Sequence, residues 1–321
     1  MSRARLVIIG VLALALAGLV FAWSLMGSAT IAKDTSFTIP AGASVSAVAD
    51  KLADEGLISS APGFVLQARI FGSDAPIQAG EFLLTPGMSQ REILAAFQSG
   101  DVIRRFVTIP EGMPSILVWE RVMAEDLLTG EVAVPPEGSI LPDTYAFERG
   151  QSRKSLVEQM QAAMDRALAE EWAGRRPGIA VDTMRDALIL ASIVEKETGK
   201  PEERRMVAGL YSNRVRTGMR LQADPTIIYP ITKGKPLGRR IRQSEIAAVN
   251  GYNTYTRVGL PEGPITNPGR DSIAAVLNPE NTAALFMVAD GTGGHWFADT
   301  LAEHNANVAK WYAIRRERGE M

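Results

Sequence analysis

Two carboxylates stand two positions apart in Ala191-Ser-Ile-Val-Glu-Lys-Glu-Thr198, at the C-terminal end of an otherwise apolar run. On an α-helix two positions are about 200° of rotation, so Glu195 and Glu197 look in nearly opposite directions and only one of them easily serves a given cleft. Glu197 continues the bulky stripe Leu190, Ile193, Val194, whereas Glu195 sits above Leu188, Ala191 and Ser192. A carboxyl on the greasier stripe holds its proton to higher pH, which is what a general acid working near neutrality needs. Two solvated helix-end charges would give the same pattern, and the spacing alone does not separate the two readings.

The elements around the pair can be read outward from it. Asp182 is placed to cap the helix that carries both glutamates. Gly199-Lys-Pro201 ends that helix and starts another, reaching about Thr217, so the pair sits at a helix–helix elbow. The next stretch of chain is polar, aromatic and poor in regular structure: Asn213, Gln222, Asp224, Thr226 and Tyr229, then Tyr252-Asn-Thr-Tyr255, then the loop Gly259 to Gly269. Long loops of this kind inside a compact domain are often functional. Planar amides, hydroxyls and aromatic faces are what sugars bind, although a set of capped turns has the same composition. Tyr252 and Tyr255 could stack on sugars or form a core pair. Asp224 before a proline is either a turn former or a second acid.

Further out, Phe37 to Gly42 reads as strand and turn, Val45, Val48, Ala49 and Leu52 as a helix stopped by Gly56, and Phe64 to Phe71 as a second helix. Gly80 to Thr85 reads as a strand and Ile93 to Phe97 as a helix closed by Gly100. Strand, helix, helix, strand, helix over residues 35–104 make a small α+β module. After a strand at residues 104–109 and an irregular stretch marked by Pro135, Pro136, Gly138, Pro142 and Gly150, residues 153–173 form an amphipathic helix. Leu285 to Ala289 and His295 to Phe297 read as paired strands around a tight turn, and Leu301 to Arg318 as a final helix. The larger part, residues 105–321, is therefore a second α+β domain.

Composition bounds the possibilities. The 321 residues, 46% hydrophobic and 22% charged, suffice for about two domains. A net charge of -2 gives no global electrostatic case for nucleic acid. With no cysteine there is no disulfide and no thiolate nucleophile or ligand. His295 and His304, with Glu303, could be written as a metal site, but no motif links a strand histidine to a helical one, and no metal or other cofactor is expected. Leu6 to Met26 runs uncharged for 21 residues behind Arg3 and Arg5. That is long enough to span a bilayer, with residues 1–5 in the cytoplasm and everything after about Lys33 on the far side. A cleaved signal peptide is the rival, and the run is long for one.

The collinear motifs resemble those of the YceG-like endolytic murein transglycosylases. They are Leu141-Pro-Asp-Thr-Tyr145, Ala191 to Thr198, Asn213-Arg214, Gly218-Met-Arg-Leu-Gln222, Asp224-Pro-Thr226 with Tyr229, and Tyr252-Asn-Thr-Tyr255. Gly259-Leu-Pro261, Gly263-Pro-Ile265, Asn267-Pro-Gly269, and Gly294-His295 with Phe297 and His304 complete the series. The resemblance covers nearly everything after the apolar run. It implies a LysM-like domain at 35–104 and a catalytic domain at 105–321. It also implies cleavage of peptidoglycan glycan strands between N-acetylmuramic acid and N-acetylglucosamine, leaving a 1,6-anhydro end, at an inner-membrane protein whose catalytic domain is periplasmic. Glu197 is the catalytic position it implies, with Asn213, Gln222, Asp224, Tyr252, Asn253, Tyr255 and His295 on the substrate side. Penicillin-binding proteins and the elongation or division machinery become plausible partners. Two departures, Glu262 where the loop commonly has proline and Val215 where leucine is usual, touch no group the chemistry requires. A wall-binding scaffold without activity, and a hydrolase using Glu197 with Asp224, stand as alternatives.

Overall fold

The computed structural model describes residues 28–320 and, ahead of them, residues 8, 9, 11, 12 and 15. The expected membrane span at 6–26 otherwise lies outside the described residues. Among the described residues no helix is long and apolar enough to cross a membrane. The chain divides into two compact units, one ending at Arg105 and the other starting at Phe106.

In the first unit β1 (Thr35–Ile39) is followed by α1 (Val45–Asp54), α2 (Ala61–Phe71), β2 (Gly80–Leu84) and α3 (Gln90–Ser99), the order read from the sequence. β1 and β2 pair antiparallel, Thr35 opposite Leu84 and Ile39 opposite Gly80. Alternation along β1 turns Phe37 and Ile39 inward, where Phe37 and Phe82 meet Phe97 of α3 at ring distances of 5.6 and 4.9 Å. The Ser89–Glu92 capping box starts α3, and Gly100 stops it in the left-handed conformation at φ 73°.

The second unit is mainly helical. A two-stranded sheet of β3 (Arg105–Thr108) and β4 (Thr144–Phe147) brackets α4 (Ser115–Met123) and precedes the long α5 (Arg153–Ala173). Then come α6 (Met184–Glu197), α7 (Arg204–Arg216), α8 (Pro225–Thr232), the short α9 (Gln243–Ile246), α10 (Arg270–Leu277), the antiparallel pair β5 (Phe286–Ala289) and β6 (His295–Ala298), and α11 (Leu301–Glu317). Helix α6 is the spine. It packs against α7 and α10, and residues 189 to 194 are all buried, so both of its faces meet protein rather than one stripe alone.

Three local readings change. Thr183, not Asp182, caps α6: its hydroxyl accepts from the Asp186 N–H at 3.1 Å. Helix α8 and the short α9 stand in the stretch expected to lack regular structure, and the eight-residue α10 follows it, directly after Gly269. α8 carries prolines at 225 and 230, which hide it from a pattern-based reading, but Pro225 occupies the first turn, where a missing N–H costs nothing.

Candidate active site

Helix α6 ends at Glu197 because Thr198 leaves the helical region at φ -138° and ψ 132°, so Glu197 projects from a rigid, buried helix at its last turn. It opens on a cleft of about 360 Å³ whose walls come from α7 (Tyr211, Arg214), the segment before α8 (Gln222, Asp224), the following loop (Tyr255) and β5 (Met287). That volume is ordinary for a ligand site.

The Glu197 carboxyl is the unusual group. Its Oε1 is buried and has no hydrogen-bond partner. Burial, reinforced by the charge of Asp224, pushes its pKa up to about 7, against smaller opposing effects of the Tyr211 hydroxyl and the Arg214 guanidinium. A carboxyl in that range is partly protonated at neutral pH and can give a proton to a leaving oxygen. Asp224 lies at the N-cap of α8 yet does not cap it. Its Oδ1 instead accepts the Tyr255 hydroxyl at 2.6 Å. Burial, then that hydrogen bond to Asp224, raises the Tyr255 pKa and keeps the phenol protonated.

A buried clasp holds this loop pair. The Thr254 carbonyl accepts from the Gln222 N–H at 3.2 Å, its hydroxyl accepts from the Ala223 N–H at 3.0 Å, and the Thr226 and Thr254 hydroxyls are 2.8 Å apart. Gln222 is held at φ 51°, a left-handed conformation that a non-glycine residue adopts only when its surroundings impose it. The clasp therefore fixes Gln222, Asp224 and Tyr255 against one another.

Of the residues expected on the substrate side, Gln222, Asp224 and Tyr255 line the cleft with Glu197. Asn213, Tyr252, Asn253 and His295 do not, and each has its polar or aromatic group committed elsewhere. The Asn213 amide donates to the carbonyls of Thr282 and Ala284 at 2.8 and 3.1 Å. Asn253 is fully buried, donates to the carbonyls of Ile246 and Ala248 at 3.0 and 2.6 Å, and accepts from the Tyr255 N–H at 2.9 Å, so it shapes the loop beneath Tyr255. Tyr252 packs on Tyr229 with ring centroids 4.8 Å apart. The His295 ring nitrogen Nδ1 lies 2.9 Å from Glu203 Oε2, and its backbone N–H donates to Glu203 Oε1 at 2.9 Å. His304 stacks on Phe286 and Glu303 caps α11.

Glu195 meets different company. Its Oε2 accepts from the Gly269 N–H at 3.0 Å and from the Ser272 hydroxyl at 2.7 Å, tying α6 to the first turn of α10. Such a bond also sets the carboxylate at the positive end of that helix.

Tyr211 and Arg214, both buried, were not singled out from the sequence as site residues. A signal was there: Val207, Leu210, Tyr211 and Arg214 follow one helical stripe at intervals of three and four, and a guanidinium on a core-facing stripe has to have a reason.

Sequence and structure comparisons agree in kind. A profile of the YceG-like family matches residues 37–310. A protein of Streptococcus pneumoniae named endolytic murein transglycosylase is 28% identical over 85% of this chain and 57% of its own length, so the chain spans little more than half of that relative. One of the same name from Bacillus subtilis is 27% identical over 90% of this chain and 89% of its own. The crystal structure of a yceG-like protein from Listeria monocytogenes, 27% identical, superposes with a TM-score of 0.53 and covers 85% of this chain and 98% of that one.

Proposed function

Since the chain belongs to the YceG-like family, we propose that it is a lytic transglycosylase that cuts peptidoglycan glycan strands between N-acetylmuramic acid and N-acetylglucosamine. The observation that carries this reading is the buried, partnerless Oε1 of Glu197, on a carboxyl whose pKa is raised to about 7, at the wall of a polar cleft. Neutral Glu197 protonates the glycosidic oxygen as the C1–O bond breaks. The C6 hydroxyl of the same muramic acid then adds to C1, and the Glu197 carboxylate takes the proton that hydroxyl loses. One bond is broken, one is formed, no water is consumed, and the acid is regenerated. One carboxyl suffices because the nucleophile belongs to the substrate, unlike the paired carboxyls of glycoside hydrolases. Gln222, Asp224 and Tyr255 would hold the distorted sugar and the positive charge that builds at C1. Asn253 supports this from below, while Asn213, Tyr252 and His295 serve through the elements they anchor.

The reading extends to an inner-membrane protein anchored by residues 6–26, with a LysM-like module at residues 35–104 and a periplasmic catalytic domain that trims or terminates nascent strands. Penicillin-binding proteins and the elongation or division machinery are the corresponding partners.

Asp224 supports a second reading, because it places another carboxylate in the same cleft as Glu197. A hydrolase would use it to activate water. Against this stands its hydrogen bond to Tyr255, which occupies one of its oxygens. Mass spectrometry of products from murein sacculi decides: anhydro ends support the transglycosylase, reducing ends the hydrolase, and no release at all a wall-binding scaffold.

A further inference from the structure

Two arginines of α7, Arg204 and Arg214, are equally buried at 7% exposure, but they are neutralised differently. Arg204 touches two carboxylates, Glu111 at 3.1 Å and Asp271 at 3.0 Å. Arg214 has no carboxylate at ion-pair distance: Nε donates to the Leu285 carbonyl at 2.7 Å and Nη1 to those of Leu221 at 2.5 Å and Arg220 at 3.4 Å, and the guanidinium lies over the Phe286 ring at 5.6 Å. Leu221 immediately precedes the cleft residue Gln222, and Leu285 stands two positions before Met287 of β5. One guanidinium thus binds both walls of the cleft to α7. Carbonyl oxygens and a ring face stabilise the guanidinium without supplying a counter-ion, and a buried charge without a counter-ion is costly. The carboxyls sharing the cleft with it are Glu197 and Asp224.

Resting on the transglycosylase reading, we propose that Arg214 is the positioning residue of the reaction and the counter-charge to the Glu197 carboxylate that exists midway through it. It does not touch the acid within ion-pair distance, and so leaves Oε1 free for substrate. It acts through the field between two groups held out of water in the cleft wall, where charges are felt beyond contact. The groups facing Glu197 are Tyr211 and Arg214 from α7, Asp224 from the segment before α8, Tyr255 from the loop, and Lys196 on its own helix. Asp224 opposes ionisation of Glu197, whereas Arg214 favours it. Removing the cation therefore leaves burial and Asp224 opposed by the Tyr211 hydroxyl alone.

The pH profile tests this with a sign that loosened packing cannot imitate. The reaction needs Glu197 protonated, so turnover falls as pH rises through its pKa. In Arg214→Gln the falling limb should move to higher pH by roughly one unit, the usual effect of losing an opposite charge a short distance away. A loosened, hydrated site would move it the other way, toward the ordinary carboxyl range. Arg214→Lys keeps the charge but not the fork, so its limb should stay within a few tenths of a unit of wild type while kcat falls about tenfold. A limb that is unmoved or moves to lower pH in the Gln variant overturns the proposal. Should that variant not fold, the Lys variant decides, since a limb displaced to low pH there shows that only packing was lost. Carbon-13 titration of the Glu197 carboxyl in the full chain, identified by its absence in Glu197→Gln, reads the same coupling without turnover. Reducing-end products from wild type would defeat the transglycosylase reading and leave that titration interpretable.

Discussion

The two sides of the α6 terminus hold the same residue type within one turn and put it to opposite uses. On the α10 side, Glu195 finds a backbone N–H and a hydroxyl at hydrogen-bond distance on one oxygen. On the α7 side, Glu197 finds a tyrosine, a guanidinium in the same cleft beyond ion-pair distance, and an oxygen left with no partner. A carboxyl supplied with donors is a strut, whereas one buried without them holds a proton it can give away. Chemistry here is decided by the packed partner rather than by the helix that carries the pair.

The hardest blow to this comparison comes from exchanging the acid. Glu197→Gln should lower release of glycan fragments by about 10²- to 10⁴-fold, the usual weight of a general acid–base group. Its circular dichroism should match wild type; retention of more than a tenth of the activity would place the acid elsewhere. Glu195→Ala should do the reverse. It strands the Gly269 and Ser272 donors, a loss of about 2–4 kcal/mol, while turnover per folded molecule stays within a few-fold. Urea unfolding can follow it by fluorescence, because Trp119, Trp172, Trp296 and Trp311 all lie in the second unit. An unchanged midpoint would erase the distinction between strut and acid.

Much of this could be read before any coordinates. The order of elements in the first unit, helix α5, the β5–β6 hairpin and the last helix follow from hydrophobic period and turn residues, because each is long or sharply punctuated. Helices α8 and α10 did not show, being only two turns long and, in α8, interrupted by proline. Motif order pointed to Glu197, Gln222, Asp224 and Tyr255. It also pointed to Asn213 and Asn253, whose amides satisfy backbone carbonyls rather than facing the cleft. A recurring amide that organises a loop and one that binds a sugar look alike in a sequence; only the location of the acceptors separates them. The stripe argument for Glu197 chose a side without knowing what covers the other, and residues 191 and 192 are as buried as 190 and 193.

A subtler contrast is set by pH. Glu197 has its pKa raised from 4.5 to about 7 in the folded protein, so the folded state binds this proton more tightly than the unfolded chain. The stability this contributes is complete below the unfolded value and is lost as pH rises from about 4.5 through 7. Glu197→Gln does not suffer that loss. Its stability relative to wild type should therefore grow between pH 4 and pH 8, by up to about 3 kcal/mol at 1.36 kcal/mol per unit. A constant difference across that range would mean that the acid is not desolvated in solution.

The finest adjustment separates the two donors that hold Glu195. Ser272 is fully buried and gives its hydroxyl to the carboxyl at 2.7 Å, while the Gly269 N–H is held at 3.0 Å whatever residue stands at 272. Ser272→Ala removes one bond to a carboxylate, leaves the other, and introduces no bulk, so it should cost about 1.5 kcal/mol with turnover unchanged. Combined with Glu195→Ala, the hydroxyl has no carboxyl to serve, and its deletion should then cost nearly nothing or relieve an unmet donor. The double-mutant cycle should thus return a coupling of about 1–2 kcal/mol, well above the scatter between independent sites. Additive effects would show that the serine packs beside Glu195 without holding it. In that case the backbone N–H at the start of α10 would alone distinguish the carboxyl that braces the helix from the one that carries the proton.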